Sequence, residues 1–365
     1  MDSPVLFRTE AAQGGRLIGI ATLNVPRALN ALSLEMIDLL QARLSDWQQD
    51  ERIAAVWLDA EGDKAFCAGG DIVRLYQSMV DTPAGERNRY AEDFFAREYR
   101  LDYLLHTFGK PVICWGHGIV MGGGLGLMSG CSHRVVTEKS RMAMPEITIG
   151  LHPDVGGSWF LNRMPGRLGL FLGLTGANIN AADALFVGLA DRAVAHEDKA
   201  AVLAALQAEP VLDQGAVSAV LRHHALAEER LPASELRRLF DDINHLCDAD
   251  SLAQLHRQLS GYTGTESLLQ KAAATLAKGC VQTAWLVWES QRRVRHLSLA
   301  EAFRMEWIMS LQCALHGDFR EGVRALLIDK DGQPAFRYRH IDDFPDAVLQ
   351  QFFVNPVQPH PLEAL

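Results

Sequence analysis

Short apolar runs alternate with amphipathic stretches along the first half of the chain. RLIGIATL (16–23) and IAAVWLD (53–59) have the near-continuous apolar character of buried strands. Between them, apolar positions recur with helical spacing from Ser33 through Trp47. PVICW (111–115) and RVVTE (134–138) repeat the strand pattern with a glycine-rich turn between them. This rhythm predicts an α/β fold. Pro111 to His133 contains no formally charged residue, as a membrane span would, but Pro111, His117, Gly122, Gly123 and Gly124 interrupt it. The pattern there predicts a buried strand, a turn and a buried helix. Beyond about Ala193 the chain changes to stretches such as DKAAVLAALQAE and SELRRLFDDINHL, which read as helices. The expected organisation is a core over residues 1–194 and a mainly helical region over 195–365 packing on it. Neither an internal repeat nor a low-complexity linker separates the two.

Composition narrows the classes of function. Of 365 residues, 48% are hydrophobic, which is enough for a substantial core, and the formal net charge is −10 with both signs interspersed. That balance argues against a nucleic-acid or anionic-membrane partner, so an anionic ligand must be held by local groups. Cys67, Cys114, Cys131, Cys247, Cys280 and Cys313 show no paired spacing, which fits a reducing compartment and no zinc site. The start, MDSPVLFRTEAAQGG, lacks the cationic and apolar regions of a secretory signal, so the cytoplasm is expected. There is no HExxH, CxxC pair or P-loop, and no cofactor is expected.

Two segments place glycines between an apolar run and a helix. They are AFCAGGDI (Ala65–Ile72) and GHGIVMGGGLGLM (Gly116–Met128). Such turns leave backbone N–H groups free at a helix start, and two of them can form an oxyanion hole. Glycine also lets an acyl group approach the backbone closely. Either turn alone is more often plain turn geometry. The GGGLG run has the wrong spacing and position for a dinucleotide fingerprint.

A third segment, MPEITIGLHPDVGGSWFLNRMPG (Met144–Gly166), carries Glu146 and Asp154 eight residues apart with apolar neighbours. Partial desolvation raises a carboxylate's pKa and suits it to base or nucleophile chemistry. The bland alternative is a pair of acids at the ends of short elements.

Taken in order, NVPRALNALS, AFCAGGDI, GHGIVMGGGLGLM, MPEITIGLHPDVGG and LTGANINAADALFVGLAD resemble the crotonase (enoyl-CoA hydratase/isomerase) superfamily along about residues 1 to 195. The resemblance implies stacked ββα units wound into a spiral, and two backbone amides that stabilise a thioester oxyanion, here Gly70 and Gly123. It implies coenzyme A contacts at Arg27, Ala28, Ala65, Ala68, Gly69, Asp71 and Gly122, with coenzyme A arriving as part of the substrate. Gly126 occupies the position of the first of the two glutamates that hydratases use, while Glu146 matches the second. Asp154 stands where hydratases generally have glycine. PEITIGLHPDVGG and the later DFREGVRALLIDKD (Asp318–Asp331) are similar to the 3-hydroxyisobutyryl-CoA hydrolase branch, which implies an acyl-CoA thioesterase of valine degradation acting through Glu146 and Asp154. One departure is KGCVQT (278–283), where the family often has Ser-Pro, a position able to shape the acyl pocket.

Other residues near these motifs carry structural readings. His117 and His152 are expected to be packed or hydrogen-bonded rather than catalytic. Cys67 is expected to be a small buried side chain, and Asp71 a helix-start residue turned away from the chemistry. Trp159 and Phe160 support either the acyl pocket or the core. Two rival functions stand beside the hydrolase: a hydratase or isomerase on the same fold, and a non-catalytic acyl-CoA-binding protein. A homo-oligomer is compatible with all three.

Overall fold

A computed structural model describes residues 3–83 and 85–365. Among the described residues ten strands form two sheets: β1 (Val5–Ala11), β2 (Leu17–Leu23), β3 (Ile53–Ala60), β4 (Ala65–Cys67), β5 (Val112–Gly116), β6 (Ile119–Met121), β7 (His133–Val136), β8 (Arg141–Ala143), β9 (Ile179–Asn180) and β10 (Arg192–Ala193). The larger sheet has the order β1-β2-β3-β5-β7-β10 and the smaller β4-β6-β8-β9. The apolar runs at 16–23, 53–59, 111–115 and 134–138 thus became β2, β3, β5 and β7, paired parallel to one another. Ser33 caps the helix Leu34–Gln49 by accepting from the Met36 N–H.

The chain divides into two compact units, and it passes between them after Gly70, Tyr99, Met142, Asn178 and Arg237. Each unit therefore draws on sequence before and after residue 194.

The first unit comprises Met1–Gly70, Arg100–Met142 and Ile179–Arg237. In its sheet Ile18 pairs with Ala55, Ile20 with Trp57, Trp57 with Ile113, and Trp115 with Val135, so period-two apolar positions line up across four strands. Val194, Val202, Leu206, Val217, Val220 and Leu221 complete this core. Both faces of β3 are buried, which its continuous apolar run anticipated. On β2, Gly19 makes room for the helix: a Cβ there would lie 2.7 Å from the Trp47 ring. Asp59, the one acid inside β3, is held by the Thr22 hydroxyl at 2.6 Å, the Trp57 indole at 3.0 Å and Lys199 at 2.6 Å.

The second unit comprises Asp71–Tyr99, Ala143–Asn178 and Arg238–Leu365, and among its described residues the regular elements are helices, apart from Ala143 at the end of β8. Its middle segment is embedded in C-terminal helices. A Cβ on Gly150, whose φ is +75°, would lie 2.6 Å from the Asp318 carbonyl carbon, and one on Gly322 would lie 2.5 Å from the Ile149 Cα. The Cys280 N–H donates to the Ile147 carbonyl at 2.9 Å and the Thr283 hydroxyl to the Leu151 carbonyl at 2.5 Å. The departing segment KGCVQT therefore lies directly against the acid-bearing turn. Among the described residues no helix is long and apolar enough to cross a membrane.

Candidate active site

In the first unit the two glycine turns stand side by side because the strands before them do. β4 and β6 pair in parallel, with Ala65 opposite Ile119 and Cys67 opposite Val120. After β4 the chain turns through Ala68, Gly69 and Gly70. After β6 it turns through Gly122 into the helix Gly123–Gly130. Gly69 has φ +117°, and a Cβ built on it would lie 4.0 Å from the Gly123 nitrogen. Gly124 admits no side chain, since a Cβ would run into the Cys67 carbonyl. Leu125 and Gly126 are the first N–H groups to donate back, both to the Gly122 carbonyl, so Gly123 at the helix start has no intrahelical acceptor. The neighbouring bridge runs from the Leu32 N–H to the Gly69 carbonyl at 2.8 Å and does not use the Gly70 N–H.

The PRALNAL segment is tied to the same turn. Leu29 and Asn30 adopt left-handed φ values of 52° and 54°, and the Ala68 N–H donates to the Leu29 carbonyl at 3.1 Å. The Asn30 amide donates to the Glu61 and Ala65 carbonyls, each at 3.0 Å. Arg27 and Ala28 are exposed beside it, Ala68 is half-buried, and Ala65, Gly69 and Gly122 are buried. Cys67 is fully buried, as expected of a small core side chain. His117 is a structural residue, as expected. Its Nε2 meets the Gly62 carbonyl at 2.6 Å, its ring packs on His196, and burial lowers its pKa.

The second unit gathers the acids. Pro145 begins the single turn Glu146–Thr148, which sets Glu146 into the interior at 5% exposure with Oε2 unpartnered. Its pKa is raised well above the usual range by burial, and further by the negative charge of Asp154 and then Glu98. Asp154 is 4% exposed, and its Oδ2 accepts from the Tyr99 hydroxyl at 2.7 Å. Burial pushes it to about 6 against the opposing Tyr99 hydrogen bond. After Asp154 the chain turns through Val155 and Gly156, with φ of 53° and 85°, into the short helix Gly157–Leu161. Glu306, fully buried on the helix Leu299–His316, fixes that turn: it accepts from the Gly156 N–H at 2.7 Å, the Ser158 N–H at 2.9 Å and the Ser158 hydroxyl. Burial lifts Glu306 to about 8. Asp71, as expected, caps the helix Ile72–Asp81 through the Arg74 N–H at 3.0 Å. Trp159 and Phe160 are half-buried, and the Arg163 guanidinium lies over the Trp159 ring.

A further buried acid, Glu98, was not foreseen either. Glu98 is 2% exposed, its Oε1 has no partner, and its pKa is raised well above normal by burial and by Asp154. A signal for it exists in the sequence. Along the helix Arg89–His106 the apolar positions Ala91, Phe94, Phe95, Leu101 and Leu105 form a stripe, and Glu98 interrupts it. A carboxylate on an apolar stripe is a functional candidate. Tyr99, Ser310 and Glu306 carry no comparable local signal.

Buried carboxylates with free oxygens and raised pKa values can act as bases, nucleophiles or proton donors. Among the described residues no group of His, Cys, Asp and Glu is arranged to hold a metal ion.

This architecture is the crotonase fold, and over residues 18–353 the chain matches the family described as enoyl-CoA hydratase/isomerase, to which it belongs. Within it, the chain is similar to the mitochondrial 3-hydroxyisobutyryl-CoA hydrolases. That of Danio rerio is 37% identical over 322 residues, 87% of this chain and 82% of that protein. That of Homo sapiens is 34% identical over 342 residues, 92% of this chain and 86% of that protein. Two solved structures are similar throughout. A carnitinyl-CoA dehydratase from Mycobacterium thermoresistibile has a TM-score of 0.88 at 33% identity over 100% of both chains. An enoyl-CoA hydratase from Rhodobacter sphaeroides 2.4.1 has a TM-score of 0.84 at 34% identity over 97% of this chain and 98% of that one.

Proposed function

We propose that the chain is an acyl-CoA thioesterase that releases a short, branched, 3-hydroxylated acid, with 3-hydroxyisobutyryl-CoA of valine degradation as the first candidate substrate. The observation that carries this reading is the buried pair Glu146 and Asp154, with an unpartnered oxygen on Glu146 and both pKa values raised, in a chain whose sequence relatives are named for that hydrolysis. In the proposed reaction the Gly70 and Gly123 N–H groups receive the thioester oxygen as it gains charge. Glu146 either attacks the carbonyl carbon and expels the coenzyme A thiolate to give an anhydride that water then opens, or takes a proton from the attacking water and returns it to the thiolate as the C–S bond breaks. Asp154 orients that water or binds the substrate hydroxyl. Coenzyme A enters as part of the substrate, held by Arg27, Ala28, Ala65, Ala68, Gly69, Asp71 and Gly122, with no further cofactor.

Hydration is the second reading, and a specific observation favours it. Gly126 removes one hydratase glutamate, but Glu98 supplies a further carboxylate whose charge acts on Glu146. Thiol release followed across a panel of short acyl-CoAs separates the two. The hydrolase reading expects the highest kcat/KM on 3-hydroxyisobutyryl-CoA. Loss of the crotonyl-CoA enoyl absorbance without thiol release would replace it with hydration.

A further inference from the structure

Behind Asp154 lies a string of hydrogen bonds that the proposed reaction does not use. The Tyr99 hydroxyl is 2.7 Å from Asp154 Oδ2 and 2.7 Å from the Ser310 hydroxyl, which is 3.0 Å from His152 Nε2. His152 Nδ1 is in turn 3.1 Å from the Pro153 carbonyl. All four side chains are buried. A hydroxyl has a single hydrogen, so the string can run in one direction at a time. In one direction His152 Nε2–H donates to Ser310, Ser310 to Tyr99, and Tyr99 to an ionised Asp154. In the other, a protonated Asp154 donates to Tyr99, Tyr99 to Ser310, and Ser310 to a bare Nε2, while His152 carries its hydrogen on Nδ1 and gives it to the Pro153 carbonyl. Every member of the string is satisfied in the second direction, and only Nδ1 lacks a hydrogen in the first.

We propose that Tyr99 and Ser310 couple the protonation of Asp154 to the position of the hydrogen on His152, so that His152 and Ser310 are positioning residues for an acid they do not touch. This deepens the hydrolase reading and rests on it for the claim that Asp154 serves the reaction. The coupling lets one carboxylate alternate between a base held ionised by Tyr99 and an acid whose proton is held by the same string. The other groups acting on Asp154 and its partners are acidic or neutral: Glu98 from the helix Arg89–His106, Glu146 from its own turn, and Glu306 and Cys313 from the helix Leu299–His316. The Pro153 and Glu306 backbone carbonyls both raise the proton affinity of His152 against the larger effect of burial. Burial holds His152 at about 4, so near pH 6, where Asp154 titrates, the ring is neutral and only its hydrogen moves.

Nitrogen-15 NMR of the full-length protein, with the His152 signals assigned through His152→Phe, tests the coupling in the resting state. From pH 8 to pH 5 the Nδ1–H tautomer should grow with an apparent pKa equal to that of Asp154. A tautomer ratio constant through that range would overturn the proposal. The pH dependence of kcat/KM gives a second readout that loosened packing alone would not produce. Tyr99→Phe removes the direct donor and should move the acidic limb up by about one pH unit, a tenfold change in proton affinity. Ser310→Ala leaves Tyr99 only Asp154 to bond and should move the limb down. An unmoved or upward limb in Ser310→Ala would overturn the reversible string. Asp154→Asn keeps the two questions apart: wild-type hydrolysis with an unchanged limb would remove Asp154 from the reaction, while the tautomer measurement would still report on the string.

Discussion

Glu146 is a residue that a stable core would not choose. Its Oε2 is buried without a partner, and its charge is opposed by burial and by Asp154. Glu146→Gln should lower turnover by about 100-fold or more, the usual loss of a general base, while folding normally. The same change should alter stability with pH in a defined direction. A carboxyl whose folded pKa lies above its unfolded value binds protons better in the native state, so its contribution is full below the unfolded pKa and is lost as pH rises through the folded one. Wild-type melting temperature should therefore decline above pH 5 more steeply than that of Glu146→Gln, as thermal scans between pH 5 and pH 8 would record. Parallel slopes would mean that Glu146 is not proton-hungry. Glu146 and Asp154 were legible in sequence because their apolar and glycine neighbours lie within a few residues. Tyr99 with Asp154 and Tyr99 with Ser310 were not, because the partners are 55 and 211 residues apart and no local pattern joins them.

At the scale of elements, four strands of the larger sheet were legible as apolar runs though their order was not, and the glycine turns were visible as turns. What sequence could not show was how tightly they abut. Gly124→Ala should drive a methyl into the Cys67 carbonyl, lowering stability by about 1–3 kcal/mol as overpacking does, with loss of thioesterase activity. Urea denaturation and thiol release measure both. Native stability and rate in this variant would show that the close approach is dispensable. Glu306 offers a second test of element geometry. Glu306→Ala strands the Gly156 and Ser158 N–H groups, at about 1–3 kcal/mol for each buried donor left unsatisfied. Glu306→Gln keeps an accepting oxygen and should lose less. Equal losses in the two variants would show that packing, rather than the hydrogen bonds, is what Glu306 supplies.

Across the whole molecule, a net charge of −10 means that binding of an anionic thioester cannot rest on the general field. Arg27→Ala should weaken coenzyme A binding several-fold at low salt, with the difference fading at high salt as a phosphate contact is screened. Calorimetric titration at two ionic strengths would show it, and equal affinity at low salt would remove Arg27 from the site. The interleaving of the two units has a further effect on how the protein comes into being. Gly156 and Glu306 are 150 residues apart, so at about 5–20 residues per second the ribosome delivers the turn that follows Asp154 roughly 8–30 s before the side chain that fixes it. In that interval the Gly156 and Ser158 N–H groups lack the carboxylate that accepts from both in the folded protein. A nascent chain clipped before the helix Leu299–His316 emerges would carry both acids of the proposed reaction in sequence, without the carboxylate that fixes the turn behind Asp154.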